Sequence, residues 1–408
     1  MKFNKWTIGL AAAGVVSLAS AARAEEKASS VMTALSSTTL SGYVDTSAQW
    51  NFGTGNAHNP PYKFGGASKA DGFNLNVVQL RLEKPLDEAE WAAGYKVDLW
   101  AGPDANVLGT QSALAAGSGD FAVRQAYVAL RAPFQNGIDF KVGVFDSIIG
   151  YESVEGPNNP NYTRSYGHSI EPQTHTGLLA SYRFNDNISA SVGVANTYGP
   201  TINERAFPAT AAEADNKQAE SYKTYMVSIA LTAPDSFGFL AGSTLYGGIV
   251  NGFNDHETAV SEATEANSTS YYLGATVATP VTGLRTGIAF DYLDIHPRNN
   301  DTWSVAGYAS YQATEKLSLH GRAEYFKDKG NVPGGGEFLF AGVSPAVGAE
   351  VMALTATAQY DLWKNVLTRV ELRWDHSLKG NNVFGGPDTG PPNSENAWML
   401  GANVVYKF

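Results

Sequence analysis

The chain contains no cysteine among its 408 residues. A disulfide framework, a thiolate metal site and a cysteine nucleophile are therefore all excluded. It also lacks long apolar runs. The one such stretch, Ile8–Ala22, is short of the ~20 residues that a helix needs to cross a bilayer. It follows Lys2 and Lys5 and precedes Ala22-Arg23-Ala24, so residues 1–24 read as a secretory signal peptide with a small-x-small cleavage site. Any membrane crossing by the rest of the chain has to be made by strands. Basic character is scarce as well. Removing Lys2, Lys5 and Arg23 with the signal takes three positive charges from the −11 of the full chain and leaves −14, a balance that argues against a nucleic-acid partner. Seven scattered histidines show no zinc-ligand spacing, and there is no Gly-x-Ser-x-Gly element. Ser318 and His320 share a strand face, a spacing that arises easily by chance. The expectation is a protein without cofactor, metal or enzymatic activity.

What is present is alternation. Counting back by twos from the C-terminus gives Phe408, Tyr406, Val404, Ala402, Leu400 and Trp398, apolar or small throughout. The other face is mixed. An apolar span with an aromatic residue at each end suits a strand whose rings sit at two lipid–water interfaces. A final strand of a secreted sandwich is the plainer alternative. Similar segments recur at about 39–50, 74–84, 90–101, 122–132, 137–146, 174–184, 187–197, 222–232, 242–252, 269–279, 282–294, 302–312, 316–327, 350–361, 365–376 and 396–408. Residues 25–38 read as a short leader with one or two helical turns, and 39–408 as a single unit. Short connections alternate with long ones, as at 51–73, 102–121, 147–173 and 377–395. That alternation predicts an all-β, up-and-down antiparallel transmembrane barrel of about sixteen strands, with short periplasmic turns and long extracellular loops. A Greek-key sandwich scatters its long connections over both ends.

The second face of each strand carries charge of both signs. Arg81, Arg183, Arg285, Arg322, Arg369 and Arg373 stand against Glu83, Asp98, Asp291, Glu324, Glu371 and Asp375, with His320 on the same phase. One charge facing lipid at mid-depth costs ~2–4 kcal/mol, so these residues are expected to line a wet lumen. A barrel of this size leaves an aqueous channel.

The segment 142–184 is the most distinctive. It carries Gly143, Phe145, Gly150, Tyr151 and Glu152, then Asn159, Asn161, Tyr162, Thr163, Arg164, Ser165 and Tyr166, then His175, Thr176 and Gly177. With Leu40-Ser41-Gly42-Tyr43-Val44-Asp45 and Arg124-Gln125-Ala126-Tyr127-Val128, this pattern resembles the OmpL-like beta-barrel porins, the second porin-type family of that name. The resemblance implies an outer-membrane channel and names no solute. A loop of this length without strand pattern requires a reason. It either folds into the lumen and narrows it, or packs on the rim with Glu152 and Arg164 as a structural pair. In the first case Tyr151, Glu152, Tyr162, Arg164, Tyr166 and His175 are the constriction candidates.

The expected function is passive diffusion of small hydrophilic solutes and ions. A structural or adhesive surface barrel whose loops bind a partner is the alternative. Expected partners are outer-membrane lipid and lipopolysaccharide, the assembly machinery reading Phe408, and, by analogy with sixteen-strand porins, two further copies in a homotrimer. The acidic loop residues Glu204–Glu220 and Asp255–Glu265 read either as solvated charge or as sites for divalent cations bridging lipopolysaccharide. Acid at the mouth and Glu152 at the constriction predict mild cation preference.

Overall fold

A computed structural model describes residues 31–32, 37–53, 55–87, 89–111, 119–206, 220–253, 267–296, 300–329, 348–387 and 390–408. The strands are β1 (Thr39–Phe52), β2 (Gly72–Lys84), β3 (Ala92–Ala101), β4 (Phe121–Ala132), β5 (Ile138–Asp146), β6 (Thr174–Arg183), β7 (Ile188–Ala195) and β8 (Thr224–Thr232). The second half comprises β9 (Thr244–Phe253), β10 (Asn267–Ala278), β11 (Leu284–His296), β12 (Asn300–Gln312), β13 (Leu317–Asp328), β14 (Ala349–Trp363), β15 (Val366–Ser377) and β16 (Asn396–Lys407). Each pairs antiparallel with its sequence neighbours, and β16 pairs with β1 from Trp398↔Phe52 to Lys407↔Tyr43. The barrel is thus closed by sixteen strands. Closure removes the unpaired sheet edges that lipid would not tolerate.

The expected strands are all found, with ends displaced by a few residues. β1 and β14 run on to Phe52 and Trp363, and β7 stops at Ala195. Of the leader, Val31–Met32 pairs antiparallel with Leu40 and Thr39 of β1, and residues 25–30 and 33–36 lie outside the described residues. The signal segment and the acidic residues Glu213, Asp215 and Asp255–Glu265 lie outside the described residues.

The outward face is apolar. Leu80, Val128, Ile229, Leu273, Leu354 and Val404 are exposed on it. Exposed rings mark both borders. Trp91, Phe134, Phe184 and Trp363 lie at the end with short turns, and Phe52, Phe73, Phe121 and Trp398 at the end with long loops. These are the two aromatic girdles of a membrane barrel. The inward face is polar, and most of its charged residues at mid-height are buried, including Asp98, Arg322, Glu371 and Arg373. They are buried by a loop.

Chain closure depends on one close approach. The Phe408 and Gly42 backbones exchange hydrogen bonds of 2.9 and 3.0 Å. A Cβ on Gly42 would lie 2.1 Å from the Gln79 carbonyl oxygen and 2.8 Å from the Phe408 ring. Gly42→Val is therefore expected to impair closure. The heat-modifiable folded band on a denaturing gel should weaken in the variant, while Gly119→Val, with nothing nearby, should leave more of it.

Candidate functional site: the lumen and its third loop

The long loop between β5 and β6, residues 147–173 (L3), folds into the barrel. Its first turn is apolar and packs on the β6–β12 side of the lumen. Ile148 and Ile149 join Leu179, Met226, Val250 and Tyr272 in one buried cluster. Tyr151 stacks on Tyr308 of β12 with ring centroids 4.0 Å apart. It fits because β11 has a glycine there: a Cβ on Gly287 would meet the Tyr151 hydroxyl at 2.0 Å.

The rest of L3 crosses to the opposite wall, where its backbone groups would be buried without water. The wall charges satisfy them. Glu371 of β15 accepts the Tyr162 and Thr163 backbone N–H groups at 2.6 and 2.9 Å and the Thr163 hydroxyl at 2.6 Å. Arg322 of β13 donates to the Thr163 and Arg164 carbonyls at 2.8 and 3.1 Å, and Arg373 donates to the Arg164 carbonyl at 2.7 Å. Arg369 donates to the Gly156 and Asn159 carbonyls at 3.2 and 2.5 Å. A single-turn helix follows, α1 (Tyr166–Ile170), capped by the Ser165 side chain, which accepts from the His168 N–H. Glu324 accepts the Tyr166 N–H at 2.8 Å, and the Tyr166 hydroxyl donates to Asp375 at 2.7 Å. On the β2–β4 side, Glu155 reaches Arg81 and, at 3.3 Å, Arg124. Asp98 binds both arginines, at 2.6 Å each. A lone buried charge is costly, and each charge here is held by an opposite charge or by several dipoles.

The candidates from sequence therefore have different fates. Tyr162, Arg164, Tyr166, Tyr151 and Glu152 all belong to the docked loop. Glu152 does not face the passage. Its carboxylate accepts from the Ser165 N–H at 2.7 Å and from Arg322 at 2.8 Å. Nor does it pair with Arg164, which donates to the Tyr162 and Val154 carbonyls. The part of the expected cation preference that rested on Glu152 is without support from these contacts, and the part that rested on acid in the outer loops falls mostly on residues outside those described. His175 is buried in β6, away from any constriction, because its strand position turns it into the packed wall behind L3. Of the lumen candidates, Asp98, Asp291, Arg322, Glu324, Arg369, Glu371, Arg373 and Asp375 are buried under L3, and Arg81 is half-buried beside it. His320 bonds Ser310 at 2.9 Å, and Glu83 stands beside Lys96 across β2 and β3. Arg285 is exposed. Arg183 lies at the strand end and pairs with Asp186 of the turn at 2.7 Å, so it is a rim residue.

Sequence reasoning missed a second contributor, the first long loop, residues 53–71 (L1). It too turns inward. The Lys63 N–H donates to the Ser169 hydroxyl of L3 at 2.8 Å, and the Arg373 guanidinium lies 4.2 Å from the Tyr62 ring centroid. His58 bonds the Gly390 carbonyl at 2.9 Å, tying L1 to the last loop. The signal was the run Tyr62-Lys63-Phe64-Gly65-Gly66, aromatic and basic in an otherwise polar loop.

Between L1, L3 and the wall remains a cavity of about 20 Å3, room for roughly one or two waters. Asp45, Asn76, Trp100, Arg164 and Arg369 are among its lining residues. L3 also buries a pair of carboxyls. Burial and the neighbouring Asp291 carboxyl push Glu171 well above the ordinary carboxylate range.

A closed antiparallel barrel with an apolar outer belt, a charged inner wall and a loop folded inside defines a porin-type channel of the outer membrane. The chain belongs to the family described as putative beta-barrel porin-2, OmpL-like, which matches residues 37–408. A search of the curated proteins finds no match. Solved structures give the same fold at low identity. The anion-selective porin from Comamonas acidovorans is 12% identical, with a TM-score of 0.60, over 91% of this chain and 99% of that one. Salmonella typhi OmpF, in complex with daunomycin, is 13% identical, with a TM-score of 0.57, over 91% and 97%. The trimer form of Vibrio cholerae OmpT, an outer membrane protein, is 12% identical, with a TM-score of 0.55, over 91% and 99%.

Two outcomes test L3 docking. Glu371→Ala leaves the Tyr162 and Thr163 N–H groups unpaired, at a cost on the order of 3 kcal/mol. The variant should melt lower and, with L3 loosened, conduct more per channel than the parent. Glu171 adds a pH dependence. A carboxyl whose pKa is raised on folding contributes most in acid, and that contribution is lost as pH rises through the folded value. The melting temperature should fall as pH rises from the ordinary carboxylate range toward alkaline values. Glu171→Gln should flatten that slope.

Proposed function

We propose that this porin admits small hydrophilic solutes and ions to the periplasm by passive diffusion through a narrow, loop-gated lumen. The observation that carries this is the double role of the inner wall. Its charges are those of a water-facing lumen, and at mid-height they hold L3 across it, with small cavities such as the one beside L1 left between loop and wall. The narrowing of the lumen by L3 supports small solutes and low conductance. No catalytic role is assigned to any side chain, and no cofactor or metal.

Residues 1–24 serve as the export signal, and the terminal Phe408, beside Gly42 at the closing seam, serves as the mark read by the assembly machinery. The apolar belt and girdles sit in outer-membrane lipid, with lipopolysaccharide around the long loops. A homotrimer is the assembly we favour, supported by the trimer form among the similar structures. The dense packing of L3 also suits the other reading, a structural or adhesive barrel acting through its outer loops.

Reconstitution into planar bilayers separates the two. Folded wild-type protein should give discrete current steps, smaller than those of the Glu371→Ala variant. Flat traces at every voltage from folded protein would point to the structural barrel.

A further inference from the structure

The lipid-facing surface of the barrel carries a groove. It has a volume of about 580 Å3 and runs across the outward face of β12–β15, with Leu354, Leu372, Trp374 and Trp398 along one side. Its floor is made of small residues in adjoining register. Gly307 stands opposite Ala323, Ala309 opposite Gly321, and Gly321 opposite Ala356. They share the phase that exposes Tyr311, Leu319 and Leu354 to lipid.

Nothing inside the chain requires the two glycines of that floor. Glycine weakens a strand interior and usually marks a bulge or a close approach. Gly177, Gly252 and Gly287 have such a reason, since a Cβ on each would meet protein atoms at 2.1, 1.8 and 2.0 Å. A Cβ on Gly307 or Gly321 would find its nearest atom at 4.0 or 3.9 Å. Neither residue has a positive φ, and the β12–β13 ladder passes through both without a register shift. The missing side chains make room outside the barrel.

The rim above the groove is charged. On β13 and β14 the same outward phases end in Lys327 and Glu350. Lys327 lies four residues beyond Ala323, ~13 Å along the strand. Lys327 and Lys379 share the single Glu350 carboxylate at 2.9 and 3.6 Å, and their side chains are still 33% and 29% exposed. On the β11–β12 side Lys329 pairs with Asp301 at 2.5 Å, and Asp294 stands opposite Asp301. The surplus of positive charge is therefore confined to the Lys327–Lys379 side, where Trp374 and Trp398 stack with centroids 5.7 Å apart.

We infer that the groove seats an acyl chain of lipopolysaccharide, with a phosphate of its lipid A on Lys327 and Lys379, an inference that rests on the reading above that lipopolysaccharide surrounds the long loops. The groove lies within the apolar belt and opens toward the long-loop end, so it meets the hydrocarbon of the outer leaflet. A chain already in lipid gains little by leaving water, and what holds it is close packing in the groove together with the charge-assisted contact of its head group. The lysine pair favours a phosphorylated lipid over a second copy of the barrel, whose own belt is apolar.

The test is titration of the protein, refolded in detergent without lipopolysaccharide, with diphosphoryl lipid A, read by native mass spectrometry. Wild type should retain lipid A in preference to phosphatidylglycerol. Gly321→Leu fills the groove, and Ala356→Leu fills it from the neighbouring strand should the first variant lose its heat-modifiable folded band. Each should weaken retention. The double variant Lys327→Gln, Lys379→Gln should weaken it about tenfold, the scale of a lost hydrogen bond to a charged group, and should leave binding of dephosphorylated lipid A unchanged. Undiminished lipid A binding by the folded groove-filled variants overturns the inference, as does equal retention of phosphatidylglycerol. Altered oligomeric state with unchanged lipid A binding in those variants gives the face to a second copy and overturns it as well. Absence of any bound lipid A on the wild type overturns the lipopolysaccharide reading itself.

Discussion

Everything inside this barrel depends on giving partners to buried loop backbone. L3 carries peptide groups into a space where they lose water, and each must be hydrogen-bonded there. The chain meets this with ionised wall residues rather than neutral ones. Glu371 takes two N–H groups and a hydroxyl, and Arg322, Arg369 and Arg373 take the carbonyls. Charge-assisted bonds are the stronger kind. The same charges would be costly if the loop left and the lumen were dry, but in a wet lumen water can replace L3. Docking is thus strong yet reversible in principle, as suits an element that sets the width of a channel.

The two sides of the lumen are treated differently. On the β6–β12 side L3 buries apolar side chains such as Ile149 and Tyr151 in a packed cluster. On the β1–β4 and β15 side L3 meets L1 across polar and aromatic groups, and the cavity is found there. Apolar packing excludes water, and charge with imperfect filling retains it. The cavity beside L1 begins where the loop's apolar turn ends, near Val154.

The barrel was largely legible in the sequence because the period of two and the alternation of loop lengths are local signals. Charged residues such as Arg369, Glu371, Arg373 and Asp375 alternate with Val370, Leu372 and Trp374, and the structure sets the first group inward and the second outward. The loop was legible as unusual but not in its pairing. Glu152 and Arg164 look like partners because they are near in sequence. Their actual partners are Arg322, 170 residues away, and nearby carbonyls, which no spacing rule reveals. Arg124 and Asp45 were visible within motifs, yet their roles as loop anchor and cavity wall depend on which strands face L3. The contribution of L1 was missed because its only signal is the Tyr62-Lys63-Phe64 run, and a short aromatic-basic run in a loop has many meanings.

The absence of native cysteine allows a direct test that L3 covers the β13–β15 wall and leaves the cavity beside L1 within reach of small reagents. Lys63→Cys and Thr357→Cys each place a single thiol, the first in the cavity between L1 and L3 and the second on the wall behind L3, where Thr357 is 3% exposed. A small negatively charged methanethiosulfonate reagent applied to single channels should react at position 63 and change the current, while position 357 stays unlabelled. Rapid labelling at 357 with none at 63 would contradict this arrangement of the lumen.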